Sequence, residues 1–228
     1  MRLTDKVLCG VGVAAVLGML VIPGAMDGFI ALTAAYPFGM SFLKFAVLAT
    51  LGECIALRIT TGQYNRPGFG VLPKAVVWGF LGMGIKIAFT IYGGGTPKLM
   101  TEMGLLTAGA TGFGAKLVVA FGISVCLNVF FAPLLMITHK LTDIHITQNG
   151  GSLASLARKP DVAALLRAVD WNSMWGFVLK KTVPLFWIPA HTITFLLPAH
   201  FQVLFAALLG VALGVLLAFA GLRAQKPA

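Results

Sequence analysis

Apolar residues fall along this chain in long unbroken runs, unlike the alternation of half-buried strands or the one-sided stripe of soluble helices. A helix needs about 20 mainly apolar residues to cross about 30 Å of hydrocarbon, at a rise of about 1.5 Å per residue. Six segments meet that length: 7–25, 41–59, 72–92, 113–138, 175–197 and 201–222. Lipid offers an open backbone no hydrogen-bond partners, and these runs are not the short alternating segments of a barrel, so helix is the expected form. The predicted fold is an all-α, polytopic membrane bundle: one transmembrane domain over residues 1–228, with six spanning helices and one amphipathic surface helix.

Composition supports this reading. Hydrophobic residues make up 58% of the 228 and charged residues 11%, against soluble averages of about 45–50% and about 25%. The first run follows Arg2 and Lys6, and its Pro23-Gly24-Ala25 end matches a signal-peptidase site poorly, so a retained helix is expected. Cys9, Cys54 and Cys126 stand singly in apolar stretches, which implies neither a disulfide framework nor a zinc site.

The charges then set the orientation. The excess of 17 Lys and Arg over 7 Asp and Glu would suggest nucleic acid on a soluble domain. Here the basic residues sit mostly between the runs, so the lipid bilayer is the expected partner and nucleic acid is not. With the N-terminus inside, Arg2, Lys6, Arg58, Arg66, Lys74, Lys140, Arg158, Lys159, Arg167, Lys180, Lys181, Arg223 and Lys226 all fall inside. Only Lys44, Lys86, Lys98 and Lys116 fall outside or in outer halves of spans. The expected location is a cell or inner membrane, multi-pass, with both termini cytoplasmic. The inner loop 140–172 contains Pro160-Asp161 as a helix start, followed by Val162, Leu165, Leu166 and Val169 at helical spacing. This predicts a short amphipathic helix on the inner surface, with Trp171 and Trp175 at headgroup level.

Small residues mark the faces on which helices in lipid approach closely. The last span carries Ala206, Gly210, Gly214 and Ala218 at steps of four, a stripe that suits either an internal neighbour or a homo-oligomer. Three other stripes include a polar residue deep in the span: Glu53 beside Ala49 and Ala56, Lys86 beside Gly79 and Gly82, and Asn128 beside Ser124. Such residues face protein or water rather than lipid. In the fifth run Pro184, Pro189 and Pro198 free backbone carbonyls, and His191 sits beside that break with Thr192 and Thr194. Glu53, Lys86, Asn128 and His191 are therefore the candidate polar lining of a cavity. A structural contact of Glu53 with Lys86 or Arg58 is the alternative for the carboxylate. The His191 ring is expected to be mainly neutral, and acidification to alter any activity it supports.

Catalytic signatures are missing. There is no H-E-x-x-H, G-x-S-x-G or Walker loop, and Gly93-Gly94-Gly95 reads as an outer turn. His139, Asp143 and His145 straddle an expected helix end and loop, which favours a solvated interfacial cluster over a metal site. The chain is therefore expected to be a non-enzyme without cofactor or metal. The leading function is channel-like movement of a small solute, and the competing one is a structural or assembly subunit.

From Lys44 onward the order of features resembles the peroxisomal-membrane-protein and Mpv-type mitochondrial inner-membrane family, through a divergent branch. Gly52-Glu53 is similar to that family's Gly-Asp, Arg66 follows in a loop, and Gly79-Phe80-x-Gly82 resembles its glycine-rich third segment. Asn128 with Pro133, then Ile188-Pro189, Thr194-Phe195 and Leu197-Pro198, resemble its later signatures. Leu127, Ile188 and Thr194 depart from the family's Asp, Trp and Asn. The closing Trp-Asn pair is replaced by Leu213-Gly214, and the first span is additional. The resemblance implies a pore or small-solute role without catalysis.

Overall fold

The computed structural model describes residues 2–107 and 109–224, so Lys226, counted above among the inner charges, lies outside them. Among the described residues every regular element is helical. Helix α1 (Leu3–Val21) and the short α2 (Ala25–Ala35) lead into α3 (Pro37–Thr61) and α4 (Val71–Glu102). Helix α5 (Phe113–Cys126) passes through a wide-turned π segment, Leu127–Phe131, into α6 (Ala132–Gln148). After a 3-10 turn, Leu153–Ala157, come α7 (Val162–Ala168) and α8 (Trp171–Ser173). A second π segment, Met174–Trp187, continues into α9 (Ile188–Leu196), and α10 (Ala199–Ala224) follows.

Among the described residues five helices are long and apolar enough to cross a membrane: Leu3–Val21, Pro37–Thr61, Val71–Glu102, Phe113–Gln148 and Ala199–Phe219. The fifth expected span, 175–197, is helical as far as Leu196 but is not a single α-helix. Pro184 and Pro189 have no N–H to bond four residues back, and their rings crowd the carbonyl there. The turn widens, and the Ile188 N–H bonds to Val183, five residues back. Pro133 has the same effect in the preceding hairpin arm, where the Ala132 N–H bonds to Leu127.

The helices also outrun their expected ends. At 32 residues α4 is about 48 Å long, so Gly93-Gly94-Gly95 lies inside a helix rather than in a turn. Because α6 continues to Gln148, His139, Asp143 and His145 share one helix instead of straddling its end. The expected outer loop between the first two spans is largely taken up by α2.

Contacts at the two ends fix the helix directions. At one end Arg58 of α3 pairs with Asp5 of α1 at 2.9 Å, Tyr64 donates to the same carboxylate at 2.8 Å, and Arg2 reaches the Gly62 carbonyl. There the loop after α3 meets the loop after α6. Gly70 and Gly151 both have φ near +70°, and a β-carbon on Gly151 would stand 2.7 Å from the Gly68 backbone, so glycine alone fits. We refer to this as the basic end. At the far end Phe29 of α2 stacks on Phe201 of α10 with ring centroids 6.3 Å apart. The long helices thus alternate in direction, and α10 runs parallel to α3.

Helix α3 is the centre of the bundle, packed between α4 and α10. Gly79 and Gly82 of α4 accept the rings of Phe42 and Phe45, while Gly52 of α3 lies against the Val211 backbone. Phe45, Ala49, Ile85, Phe89, Leu127 and Val203 form the buried core with Ala88, Ala206 and Ala207. In the small-residue stripe of α10, Ala206 and Ala218 are buried and Gly214 faces the Gly52 carbonyl. The stripe is therefore engaged within the chain, except at Gly210, which stands over open space. Helix α1 has no buried residue. The expected surface helix forms as α7, its N-terminus capped by Asp161, which accepts from the Ala164 N–H. Leu165 and Val169 are buried while Val162 and Trp171 remain exposed.

Candidate functional site

Two polar clusters lie inside the bundle, one near the basic end and one deeper. The first is built around Glu53, about two turns before the end of α3. Lys74 and Trp78, one turn apart on α4, both donate to it: Lys74 Nζ at 2.6 Å to Oε2 and Trp78 Nε1 at 2.6 Å to Oε1. His139 of α6 meets Oε1 through Nε2 at 3.0 Å, and its ring lies on the Trp78 ring with centroids 4.2 Å apart. Lys74 also pairs with Asp143, one turn beyond His139, and its ammonium stands 4.6 Å from the centre of the Phe69 ring. Two carboxylates thus share one ammonium that is almost wholly buried. The imidazole Nε2 must carry a proton to bond a carboxylate, so it donates to Glu53.

The second cluster contains no formal charge pair. Asn128 lies in the first π segment, where its Nδ2 donates to the Ser124 carbonyl at 2.9 Å. A carbonyl can only accept, so this bond fixes the orientation of the amide. The same nitrogen lies 3.0 Å from Nδ1 of His191 on α9. That ring nitrogen must therefore accept, which places the histidine's proton on Nε2. Ser124 Oγ donates to the Ile188 carbonyl at 2.7 Å and ties α5 to the start of α9. Trp187, the last residue of the second π segment, stacks on His191 with centroids 5.1 Å apart, and Phe89 meets the ring edge-on at 5.9 Å. The first wide-turned segment thus begins at this cluster and the second ends there.

A cavity of about 250 Å³ connects the two. Glu53, Trp78 and His139 line one part of it and Asn128, Trp187 and His191 another. Its walls between them are apolar, formed by Phe45, Ala49, Phe131, Leu135, Gly210 and Leu213 among others. On α10 the cavity is bordered by Gly210 and Gly214, and a β-carbon at Gly210 would meet nothing within 4 Å.

Of the four candidate lining residues, Glu53, Asn128 and His191 border this cavity and Lys86 does not. Lys86 is half-buried on another face of α4. Glu53 contacts neither Lys86 nor Arg58: Lys74 takes the first role, and Arg58 is turned to Asp5. Lys74, Trp78 and His139 are additional members of the site. Their spacing is a usable signal, since Lys74 with Trp78 and His139 with Asp143 each stand four apart on one helix face. Among the described residues no group of three or more His, Cys, Asp and Glu is placed to hold a metal ion. His145 instead meets the Ser155 carbonyl.

Comparisons of the chain with family models, with curated proteins and with solved structures give no match.

Proposed function

We propose that this integral membrane helix bundle belongs to the channel-like or transport class and moves a small solute through the cavity between α3, α4, α6, α9 and α10. The carrying observation is the cavity itself, bordered by an ionic cluster and a neutral hydrogen-bonding cluster, in a chain whose long helices are apolar. Intramembrane ionisable and polar residues that face a cavity are a usual mark of a solute path. Kinship with the Mpv-type family, and an orientation with both termini on the cytoplasmic face, form part of the same proposal; they rest on the motifs from Gly52 onward and on the bias of basic residues.

Reconstitution tests it. Liposomes carrying the purified protein should show faster light-scattering relaxation than empty ones for at least one class of small neutral or zwitterionic solute. No flux across a broad panel would favour the competing reading, a structural or assembly subunit. One observation favours that alternative: α1 is apolar from Val7 onward and has no buried residue, which leaves a helix face open to a partner helix.

A further inference from the structure

Two spaces reach the ionic cluster from opposite sides. The cavity of about 250 Å³ touches it at Glu53, Trp78 and His139. A cleft of about 410 Å³ at the basic end touches it at Lys74 and Asp143, and is also bounded by Leu57, Arg66, Phe69 and Thr147. Among the described residues no side chain lines both spaces. Between them lies a seam walled by Lys74, Val77, Trp78, His139, Thr142 and Asp143, with no room for a water molecule. The bond that crosses this seam runs from Lys74 Nζ to Glu53 Oε2 at 2.6 Å. His139 holds Glu53 on the cavity side, and Asp143 holds Lys74 on the cleft side. The two carboxylate side chains keep 21% and 25% exposure, while the lysine between them keeps 6%, so the ammonium is the sealed member.

We propose that the solute path continues from the cavity into the basic-end cleft, and that the Glu53–Lys74–Asp143 bridge is the gate between them, closed in this structure. The gate rests on the transport reading for what passes; it adds a second chamber and the residue that closes it. Apolar side chains of the same volume would seal the seam at no greater cost, since a buried ion pair is seldom more stable than its apolar replacement. An ionic seal differs in its open state. Parted charges are rehydrated by the water that enters, whereas a parted apolar plug exposes its surface to that water. Closed and open arrangements therefore lie closer in free energy, which suits an element with two states. The bridge also draws on three helices, Glu53 from α3, Lys74 from α4 and Asp143 from α6, so a shift of any one of them strains it.

The test places single cysteines in the whole protein after Cys9, Cys54 and Cys126 are replaced by serine. They are probed with a membrane-impermeant methanethiosulfonate in membrane vesicles of both orientations. Thr147→Cys stands in the cleft and identifies the vesicles that expose the basic end. Leu135→Cys stands in the cavity, about 18 Å away along the same helix. In those vesicles Leu135→Cys should react about tenfold to a thousandfold more slowly than Thr147→Cys, because the open state of a closed gate is a minor population. Equal rates would overturn the gate, and this arm leaves the cluster itself untouched. Lys74→Ala combined with Glu53→Gln and Asp143→Asn removes the bar without leaving a charge unpaired. It should bring Leu135→Cys to within about threefold of Thr147→Cys, as expected when the open state is no longer minor. Asp143→Asn alone keeps the Glu53–Lys74 pair and should give a smaller rise; it serves if the triple variant does not fold. Ala120→Cys, on α5 at 2% exposure and on neither space, should stay unreactive throughout. An unchanged Leu135→Cys rate in folded variants, or a matching rise at Ala120→Cys, would overturn the proposal. Solute flux in liposomes with equal rates at the two cysteines would keep the transport reading and remove the gate. Opening in the variants without flux of any solute would keep the ionic seal and sink the transport reading.

Discussion

The two polar clusters of this bundle solve the problem of polarity inside a membrane in opposite ways. Around Glu53 every charged group meets a partner on another helix: Lys74 and Trp78 from α4, His139 and Asp143 from α6. Around His191 the groups are neutral, the bonds are fewer, and an acceptor and a donor are left over. A closed ionic network holds helices in register, because losing one member leaves uncompensated charge. A neutral wall with unused capacity is cheaper to perturb and better suited to a visitor. The first cluster is therefore the clamp of the bundle, and under the proposed function the second is its contact with a solute.

The comparison breaks most visibly at Lys74. Lys74→Met leaves Glu53 and Asp143 facing each other without their ammonium, and should lower stability by about 3 kcal/mol in reversible unfolding from mixed micelles. Paired with Glu53→Gln in a double-mutant cycle, the loss should be strongly non-additive. Next come the glycines. Gly79→Leu drives a side chain into the Phe42 ring and should cost about 1–3 kcal/mol. Gly210→Leu, whose β-carbon meets open space, should fold with stability close to the unmodified chain. At the neutral cluster, Trp187→Phe removes a donor that has no partner, so the change should stay below about 1 kcal/mol in either direction.

The smallest effect lies outside the long apolar helices. Hydrogen bonds from the Ser173 hydroxyl and backbone hold the Asp170 carboxyl below the usual carboxylate range. The lowered value means that the cap stabilises the folded state above the unfolded carboxyl's titration range and that this contribution is lost as pH falls through the lower, folded value. Asp170→Asn should remove that acid dependence at the start of α8, seen as faster amide exchange of Asn172 and Ser173 at neutral pH and no further change on acidification.

What the sequence made legible follows the strength of the local signal. Apolar runs of 20 residues declare a spanning helix wherever they occur, and five long apolar helices stand where such runs were expected. Their ends were less visible, since α4 and α6 continue on polar residues past the run, as at His139 and Asp143. The fifth run hid its wide turn, although Pro184 and Pro189, five apart, carry the cause. Within the site, Glu53, Asn128 and His191 stood out as polar residues in apolar surroundings. Their partners depend on helix rotation and register, which local sequence does not set. Lys86 is oriented off the cavity for that reason, while Lys74, in the first turn of α4, read as a loop-end charge. Trp187 was silent because an aromatic in an apolar run is as compatible with lipid as with a cavity wall.

The account turns on whether solute passes through the space that Gly210 keeps open. The most direct measurement compares solute flux in liposomes for the unmodified protein, Gly210→Ala and Gly210→Leu at equal reconstituted amounts, with folding checked by circular dichroism and size-exclusion chromatography. The account predicts a stepwise fall, with Leu reducing flux at least tenfold and the fold intact. Unchanged flux in folded Gly210→Leu would contradict it and place any path elsewhere in the molecule.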